Sequence, residues 1–381
     1  MMKNILYLHA GAEMYGADKI LLELVTGLDK SKFHPIVVLP NDGILKDKLI
    51  ENGIETYVVH YPILRRKYFN LKGIINYGLS YFGKSNEIVK LLKNKKIDII
   101  HANTTAVLEG IYLKKKLKCK LIWHVHEIIL KPAIINKTIS YLIGRYADKC
   151  VAVSKAVKKH LIDSKFVDED KVEVIYNGVD TERFNPNVEN KYLYKEWNVP
   201  DEAIKVGMIG RVNTWKGQND FLDAAEELLK KYSNLYIFIV GSAFAGEEWR
   251  VDELKKKIAD SKNRDRIIFS EFRTDTPEIH SFFDVLVLPS TNPDPLPTVV
   301  LEAMGCGTPV VGYNHGGVTE MVINGETGLL AKVKNSKDLG KKIQQVLESD
   351  YRLMGQKARD RAVKNFSEYS FISNFSKVYD I

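Results

Sequence analysis

The sequence predicts an α/β protein built from two doubly wound parallel sheets. Short apolar runs alternate with longer amphipathic stretches, a pattern typical of strand–helix–strand units. The alternation begins near Lys3 and begins again after residue 200. A chain of 381 residues is long enough for two domains that each bury a core. We therefore predict two Rossmann-like domains facing a central cleft, with ligands outside the carboxyl ends of the strands.

The apolar runs of the first half predict six strands and an opening helix. We place the strands at residues 3–8, 35–39, 54–59, 97–101, 121–125 and 150–153, and the helix at 17–28. The second half predicts strands at 204–210, 236–240, 267–270, 285–288 and 309–312, with helices at 217–231 and 249–262. A turn at residues 176–180 begins the linker, which runs to about Pro200.

The net charge of +8 is confined to the first half of the chain. Residues 1–180 carry 29 Lys and Arg against 19 Asp and Glu, whereas residues 181–381 carry 27 against 29. Such a basic half is compatible with nucleic acid, with anionic lipid or with a solvated lysine-rich surface. Three scattered cysteines indicate neither a disulfide framework nor a zinc site. The chain has no run of about 20 apolar residues that would span a bilayer, so we predict a cytoplasmic protein.

The most specific motif lies at residues 289–312. It combines a strand end, a proline-rich loop, a short helix, a glycine stop and another strand. Pro297 at the first helical position would leave the amides of Thr298 and Val299 unpaired, which suits a diphosphate. Asp294 on the loop and Glu302 on the helix are eight positions apart, so both can face one ligand. An acid near a helix start is also favoured by the helix dipole alone.

A second motif, at residues 210–217, follows a predicted strand and opens a helix. Gly210 and Gly217 allow the backbone to approach a ligand closely. Arg211 and Lys216 supply the two positive charges that a leaving diphosphate requires. Such a pair at a strand–helix turn is often only surface charge, but its place at a strand's carboxyl end favours function.

Two weaker signals lie at strand ends of the first half. Gly16 lies in a loop between the first strand and helix, where it could cradle a phosphate or leave room for an acceptor. The loop lacks the GxGxxG pattern and its following acid, which argues against a dinucleotide-dependent dehydrogenase. His124 and His126 end another strand, and we predict that they point to opposite sides. No third ligand for a metal lies near them in the sequence.

A basic and aromatic segment occupies residues 63–82. The cluster Arg65, Arg66 and Lys67 precedes a stretch with little acid. This composition suits a helix at a membrane interface or a groove for a lipid-linked acceptor. An ordinary amphipathic helix packed on the sheet is an equal alternative. The aromatic side chains of the segment are Tyr68, Phe69, Tyr77, Tyr81 and Phe82.

Taken together, these motifs resemble glycosyltransferase family 4, whose members are retaining enzymes of GT-B fold. Asp294 and Glu302, followed by residues 303–311, resemble the family's E-x7-E motif. The second motif resembles the family's donor-phosphate loop. The family's hinge signature resembles residues 177–180 with Phe184, and its strand-end His-Asp pair resembles His126-Glu127. Residues 16–18 resemble its N-terminal glycine loop. The stretch after the E-x7-E helix also matches, at Gly316, Gly317, Glu320, Gly325, Thr327, Gly328 and Leu329.

The resemblance implies a division of labour between the domains. Residues 1–180, with a last helix at 367–381 packing back on them, would bind the acceptor, and residues 181–366 the nucleotide sugar. Arg211, Lys216 and the amides of Thr298 and Val299 would offset charge on the leaving phosphate. Asp294 would orient the hydroxyls of the donor sugar, and His126 would help to position that sugar. Glu302 would hold the ribose of the nucleotide. Further nucleotide-sugar contacts are expected at Gly16, Gly210, Gly241, Ser270 and Phe272.

The resemblance also implies the partners. We expect a UDP-sugar rather than a GDP-sugar donor, a lipid-linked saccharide acceptor of bacterial surface polysaccharide synthesis, and an anionic membrane surface. The protein would then lie at the cytoplasmic face of the membrane, with no nucleic acid partner, no cofactor and no metal. Epimerases of nucleotide sugars and phosphorylases share the fold and are the alternatives.

Two departures from the family pattern bear on the sugar. The first motif acid is Asp294 rather than Glu, which is one methylene shorter. Pro295-Leu296-Pro297 replaces a Gly-Phe-Gly, so a flexible glycine beside the donor sugar is missing.

Overall fold

The computed structural model describes residues 2–14, 16–65 and 68–381. The chain divides into two compact units. The first unit consists of Met1–Asn177 and Tyr369–Ile381, and the second of Gly178–Glu368. Each unit is built on its own parallel sheet with its own apolar core.

The sheet of the first unit has seven parallel strands. Their near-continuous Val, Ile and Leu content is typical of strands covered on both faces. They lie in the order β3-β2-β1-β4-β5-β6-β7, so the chain reverses its direction of travel between β1 and β4. The strands are β1 (Lys3–Leu8), β2 (Phe33–Leu39), β3 (Glu55–Val58), β4 (Ile99–Asn103), β5 (Lys120–Val125), β6 (Lys149–Ala152) and β7 (Val172–Val174).

Helices connect these strands, and the last helix of the chain completes the core. Phe371, Phe375 and Tyr379 are buried among side chains of β1 and β2, and the Tyr379 hydroxyl lies 3.0 Å from that of Tyr7. The helices are α1 (Gly16–Gly27), α2 (Ile44–Glu51), α3 (Leu71–Leu91), α4 (Glu109–Leu117), α5 (Ala133–Tyr146), α6 (Lys155–Asp163) and the C-terminal α15 (Glu368–Val378).

The sheet of the second unit has six parallel strands in the order β10-β9-β8-β11-β12-β13, and here the reversal falls between β8 and β11. The strands are β8 (Ile204–Ile209), β9 (Leu235–Val240), β10 (Ile267–Ser270), β11 (Val285–Leu288), β12 (Val310–Tyr313) and β13 (Gly328–Ala331). The helices are α7 (Tyr192–Glu196), α8 (Gln218–Lys231), α9 (Trp249–Ala259), α10 (Thr276–Phe282), α11 (Thr298–Gly305), α12 (Val318–Met321), α13 (Ser336–Leu347) and α14 (Tyr351–Asn365).

The predicted fold class is confirmed, with corrections at the edges of both sheets. Every predicted strand overlaps an observed one, and the largest difference at a strand end is two residues, at β2 and at β4. The strands β7 and β13 were not predicted. Each is a sheet edge of three or four residues, too short for a periodic apolar signal.

No helix in the described part of the chain combines the length and apolar character needed to cross a bilayer.

Candidate active site

Each unit has one point where strand order reverses, and polar residues gather at both. In doubly wound sheets, the crevice at this switch point is where ligands bind. In the first unit, β1 is followed directly by His9 and β4 ends at Asn103. In the second unit, Gly210 and Arg211 follow β8, and Ser290 lies just beyond β11. These positions define one candidate site in each unit.

Glycines let the loops of the second unit pass very close to one another. Gly217 has a φ of +83°, and a Cβ there would lie 1.9 Å from the carbonyl oxygen of Pro289. Gly241 has a φ of +144°, and its Cβ would lie 2.1 Å from the carbonyl oxygen of Gly210. No other residue type fits either place without moving the backbone. The close approach brings the loops after β8, β9 and β11 to one edge of the sheet.

An ion pair joins the two motifs of the second unit. The Lys216 ammonium lies 2.9 and 3.1 Å from the two carboxylate oxygens of Asp294. The Ser290 hydroxyl donates to the same carboxylate at 2.6 Å, and Asp294 is buried. The sequence places both residues at one ligand, and the structure pairs them with each other. Ser290 was not predicted, although it follows a strand at the switch point.

The Arg211 side chain is stacked on an aromatic ring. Its guanidinium carbon lies 3.5 Å from the ring centroid of Phe244, which is about half exposed on the loop after β9. This is a cation–π arrangement that fixes the plane of the guanidinium. Phe244 was not predicted. Its signal in the sequence was an aromatic residue on a strand-end loop.

Helix α11 begins one residue later than predicted. Pro297 is the residue before the helix, since its ψ of 112° is extended, and Thr298 is the first helical residue. The backbone N–H groups of Thr298 and Val299 have no acceptor in the described part of the chain. They remain open donors at a helix start, where the dipole also favours an anion.

Glu302 lies one turn along α11 and is buried. One of its carboxylate oxygens is 3.2 Å from His280 Nε2 on α10. His280 was not predicted, because its contact with Glu302 depends on the packing of two helices. Such a neighbour restricts the orientation of the carboxylate.

The remaining predicted positions of the second unit lie on the loops after β9 and β10. The Gly241 N–H donates to the carbonyl of Ser270 at 2.9 Å. The Phe272 N–H donates to the hydroxyl of Ser242 at 2.9 Å. The Phe272 ring is 65% exposed, so one of its faces is available for stacking.

A chain of polar contacts crosses the switch point of the first unit. His9 Nε2 lies 2.5 Å from Asp18 Oδ1, and His9 Nδ1 lies 2.9 Å from Asn103 Nδ2. Asn103 Oδ1 lies 2.7 Å from His126 Nε2. His9, Asp18 and Asn103 are buried, whereas His126 is half-buried. We call these four side chains the relay. The sequence singled out His126 and the loop that bears Asp18, but neither His9 nor Asn103.

The histidines around the relay are kept neutral by burial. Burial, helped by the neighbouring histidines His9 and His101, lowers the pKa of His126 to about 3. Burial also lowers the pKa of His101 to about 3 and that of His124 well below its ordinary value. The rings of His124 and His126 have centroids 3.9 Å apart. The prediction that they point to opposite sides is wrong, because residues two apart in a strand share a face.

Two other predicted residues flank the relay. The Glu127 carboxylate accepts from the backbone N–H of Thr105 at 3.1 Å and of His126 at 3.2 Å, while burial raises the pKa of Glu127. Gly16 is the first residue of α1, and a Cβ there would meet no described atom within 4 Å. In residues 2–14, 16–65 and 68–381, no group of three His, Cys, Asp or Glu side chains is arranged to hold a metal ion.

Two Rossmann-like units in one chain, each with a polar switch point, are the architecture of the GT-B fold. The solved structure of Anabaena HepE in complex with UDP and glucose is similar over 100% of both chains, with a TM-score of 0.85 and 26% identity. The model of the glycosyl transferases group 1 family matches residues 191–367, and that of glycosyltransferase family 4 matches residues 14–183. The chain belongs to glycosyltransferase family 4 and is a glycosyltransferase.

Two relatives align along nearly the whole chain. One is the N,N'-diacetylbacillosaminyl-diphospho-undecaprenol alpha-1,3-N-acetylgalactosaminyltransferase of Campylobacter jejuni, 25% identical over 98% of this chain and 96% of its own. The other is the UDP-Gal:alpha-D-GlcNAc-diphosphoundecaprenol alpha-1,3-galactosyltransferase of Escherichia coli, 24% identical over 94% and 95%. The names of both relatives describe saccharide acceptors linked to a lipid diphosphate.

Proposed function

We propose that this chain is a retaining glycosyltransferase that acts on a lipid-linked saccharide. The donor is a UDP-sugar, with a hexose or N-acetylhexosamine as the transferred sugar, and the pathway is the synthesis of a bacterial surface polysaccharide. The proposal of a nucleotide-sugar donor rests on one observation. Arg211, Lys216 and the open amides of α11 all lie at one switch point. The HepE complex with UDP and glucose supports the same nucleotide.

The second unit supplies what departure of a nucleotide diphosphate requires. Negative charge grows on the leaving phosphate while the anomeric carbon becomes cationic. Arg211, Lys216 and the amides of Thr298 and Val299 are fixed donors that stabilise that charge. The ion pair with Asp294 keeps the Lys216 ammonium in place before the donor arrives. No metal is then needed for this part of the reaction.

The acid residues serve orientation. Asp294 has a second contact to the Ser290 hydroxyl and orients sugar hydroxyls, while Glu302 holds the ribose. His126 contacts the donor sugar from the first unit. The acceptor hydroxyl attacks the face that the nucleotide leaves, and its proton passes to the departing phosphate. The new glycosidic bond forms as the bond to the phosphate breaks, so the anomeric configuration is retained.

The acceptor half of the proposal is supported by one exposed face of α3. Leucine, isoleucine and phenylalanine recur there at helical spacing, with exposures from 55% to 78%. The opposite face of the same helix is buried, at Gly73, Ser85 and Ile88. A helix that is apolar on its solvent face is typical of an interaction with lipid. The exposed residues are Leu71, Ile74, Ile75, Leu79 and Phe82.

Basic residues accompany this face. Arg65 and Lys72 are exposed beside the start of α3, within the half of the chain that carries the net positive charge. Arg66 and Lys67, the other members of the predicted basic cluster, lie outside the described residues. Each Lys or Arg near an anionic surface adds about 1 kcal/mol to binding. We therefore propose reversible attachment to the inner face of the cell membrane.

A transfer assay tests the function. The native chain would be given each of a panel of UDP- and GDP-sugars, with and without a synthetic undecaprenyl-diphosphate saccharide, in EDTA. We expect UDP release that depends on the acceptor, survives EDTA and gives an α-linked product by NMR. Epimerised nucleotide sugar without acceptor, or a requirement for inorganic phosphate, would favour the alternative enzymes.

Vesicle co-sedimentation tests the membrane half. We expect the native protein to bind vesicles with 30% anionic lipid at low salt, and to be released by salt because exposed charges are screened. Ile75→Gln combined with Leu79→Gln should weaken binding at least tenfold. Leu353→Gln, an exposed leucine on α14, is the matched control. Equal binding by the α3 variant would show that this face does not touch lipid.

A further inference from the structure

The order of hydrogen-bond donors and acceptors along the relay follows from the atoms that face each other, beginning at Asp18. Asp18 lies in the first turn of α1, and its Oδ1 is 2.5 Å from His9 Nε2. A carboxylate only accepts, so His9 Nε2 must carry the proton that lies between them. An amide NH₂, that of Asn103, faces His9 Nδ1 and can only donate, so Nδ1 is an acceptor.

The remaining steps follow from the same inventory. The Asn103 amide faces His9 Nδ1 with its Nδ2 and therefore donates to it. Its Oδ1 faces His126 Nε2 and must accept, so His126 Nε2 carries a proton. A neutral imidazole has only one such proton. His126 Nδ1 is therefore left as a lone pair, and it forms no hydrogen bond with a described residue.

We propose that Asp18, His9 and Asn103 are positioning residues that hold His126 as its Nε2–H tautomer, so that Nδ1 accepts a hydrogen bond from a sugar hydroxyl. The assignment of the sugar as ligand rests on the proposed function, whereas the tautomer does not. His126 then recognises its ligand as an acceptor only. A hydroxyl satisfies it, and a group without a proton does not.

A neighbouring contact agrees with this direction. His124 Nδ1 lies 3.2 Å from His126 Nε2, beyond the shorter contact to Asn103. The proton on His126 Nε2 can be shared with this second acceptor. The opposite arrangement, with His126 Nε2 accepting, requires the Asn103 amide to be turned around and a second proton on His9. The two arrangements differ in which nitrogen of His126 is protonated.

Long-range ¹H–¹⁵N correlation spectra of the full chain labelled with ¹⁵N-histidine distinguish them. The chain has nine histidines, and His126→Gln identifies the signals of His126. In the native protein without substrate we expect a protonated Nε2 and an unprotonated Nδ1. An Nδ1–H tautomer, or an average of the two, would overturn the proposal.

Variants test the individual links. Asn103→Ala should let His126 average between tautomers and lower kcat/KM about tenfold, the effect of one hydrogen bond. Asp18→Leu should do the same, whereas Asp18→Asn should keep the native tautomer because its amide oxygen can still accept from His9. Tyr379→Phe is the control, since it removes a buried hydrogen bond to His101 outside the relay. A native signature in Asn103→Ala would rule out the relay.

A double variant separates positioning from general damage. Asn103→Ala and His126→Ala in one chain should be no slower than His126→Ala alone, because Asn103 acts only through His126. Additive losses would contradict a positioning role. If the tautomer is as expected but native protein transfers no sugar, the proposed function fails while the relay stands.

Discussion

The two units share a topology and differ in the chemistry at the same place. In both parallel sheets the strand order reverses beside the first strand, between β1 and β4 and between β8 and β11. Polar residues lie at both reversals. At the first switch point the groups are buried or half-buried, joined in a row and largely imidazole and amide. At the second they are cations on loops, held by an ion pair and by an aromatic ring.

The proposed function accounts for this difference, because it requires two kinds of contact. Neutral, directional groups recognise hydroxyls, whose geometry matters and whose charge does not change. Fixed cations and open amides stabilise phosphate, where charge grows during the reaction. The strand order determines where the ligand-binding crevice lies, and the residues that follow each strand determine which ligand binds there. The comparison can be tested by altering each side in turn.

The largest effect is expected at the cations of the second unit. Arg211→Ala should lower turnover by on the order of 10²–10³, because a preorganised charge at the leaving group is lost. Its unfolding free energy should change little, since Arg211 stacks on the half-exposed Phe244. Lys216→Ala should lose turnover similarly and also about 1–3 kcal/mol of stability, because buried Asp294 loses its partner.

Steady-state kinetics and thermal denaturation would separate the two quantities. Lys257→Ala is the matched control, because Lys257 pairs with Asp223 on the surface of the same unit. Near-native turnover in Arg211→Ala would show that Arg211 does not stabilise the leaving phosphate. Equal stability of the Arg211 and Lys216 variants would contradict the importance of the Asp294 pair.

The next largest effect is a difference in stability between alanine substitutions at two glycines, each in the first strand–helix turn of its unit. Gly217→Ala should cost at least about 1–3 kcal/mol, because a positive φ and a carbonyl 1.9 Å from the new Cβ both oppose it. Gly16→Ala should change stability by less than about 1 kcal/mol, since its Cβ meets open space. Urea denaturation measures both. A tolerated Gly217→Ala would show that the loops of the second unit are less tightly fixed than described.

A smaller effect is expected in the pH dependence of the first unit. Glu109, the first residue of α4, is buried, and its carboxyl oxygens have no hydrogen-bond partner in the described residues. Burial raises its pKa from 4.5 to about 8. The folded state therefore keeps a proton that the unfolded chain loses, and stability falls as the pH rises from 4.5 to 8. His101 and His126 act oppositely, so their contribution is lost as the pH falls from 6.5 towards 3.

Glu109→Gln isolates the alkaline part of this profile. The neutral amide cannot ionise, so the unfolding free energy should fall less between pH 5.5 and 8 than in the native chain, where one group contributes at most about 1.4 kcal/mol per pH unit. Chemical denaturation at several pH values measures the slope. Glu87→Gln, an exposed acid on α3, should leave it unchanged. An unchanged slope in Glu109→Gln would mean that Glu109 is ionised in the folded state.

Local sequence patterns were sufficient to predict the helices and strands and the cationic motif at residues 210–217. Apolar periodicity located every central strand, and the glycines and prolines around residues 210–217 and 289–312 marked loops at strand ends. Those signals are local, since a strand, a turn or a helix start depends on neighbours within a few positions. Even here the start of α11 was one residue off, because extended and helical conformations are both open to Pro297.

The contacts between polar groups depend on strand order and could not be predicted from local patterns. His9 and Asn103 are 94 positions apart, and Lys216 and Asp294 are 78 positions apart. Their contacts require β4 to pair with β1 and β11 with β8, although neither pair is adjacent in the sequence. Local periodicity does not encode strand order, so the sequence could name the cations and His126 but not their partners. The partners exist because parallel strands that are distant in the chain end side by side at one edge of a sheet.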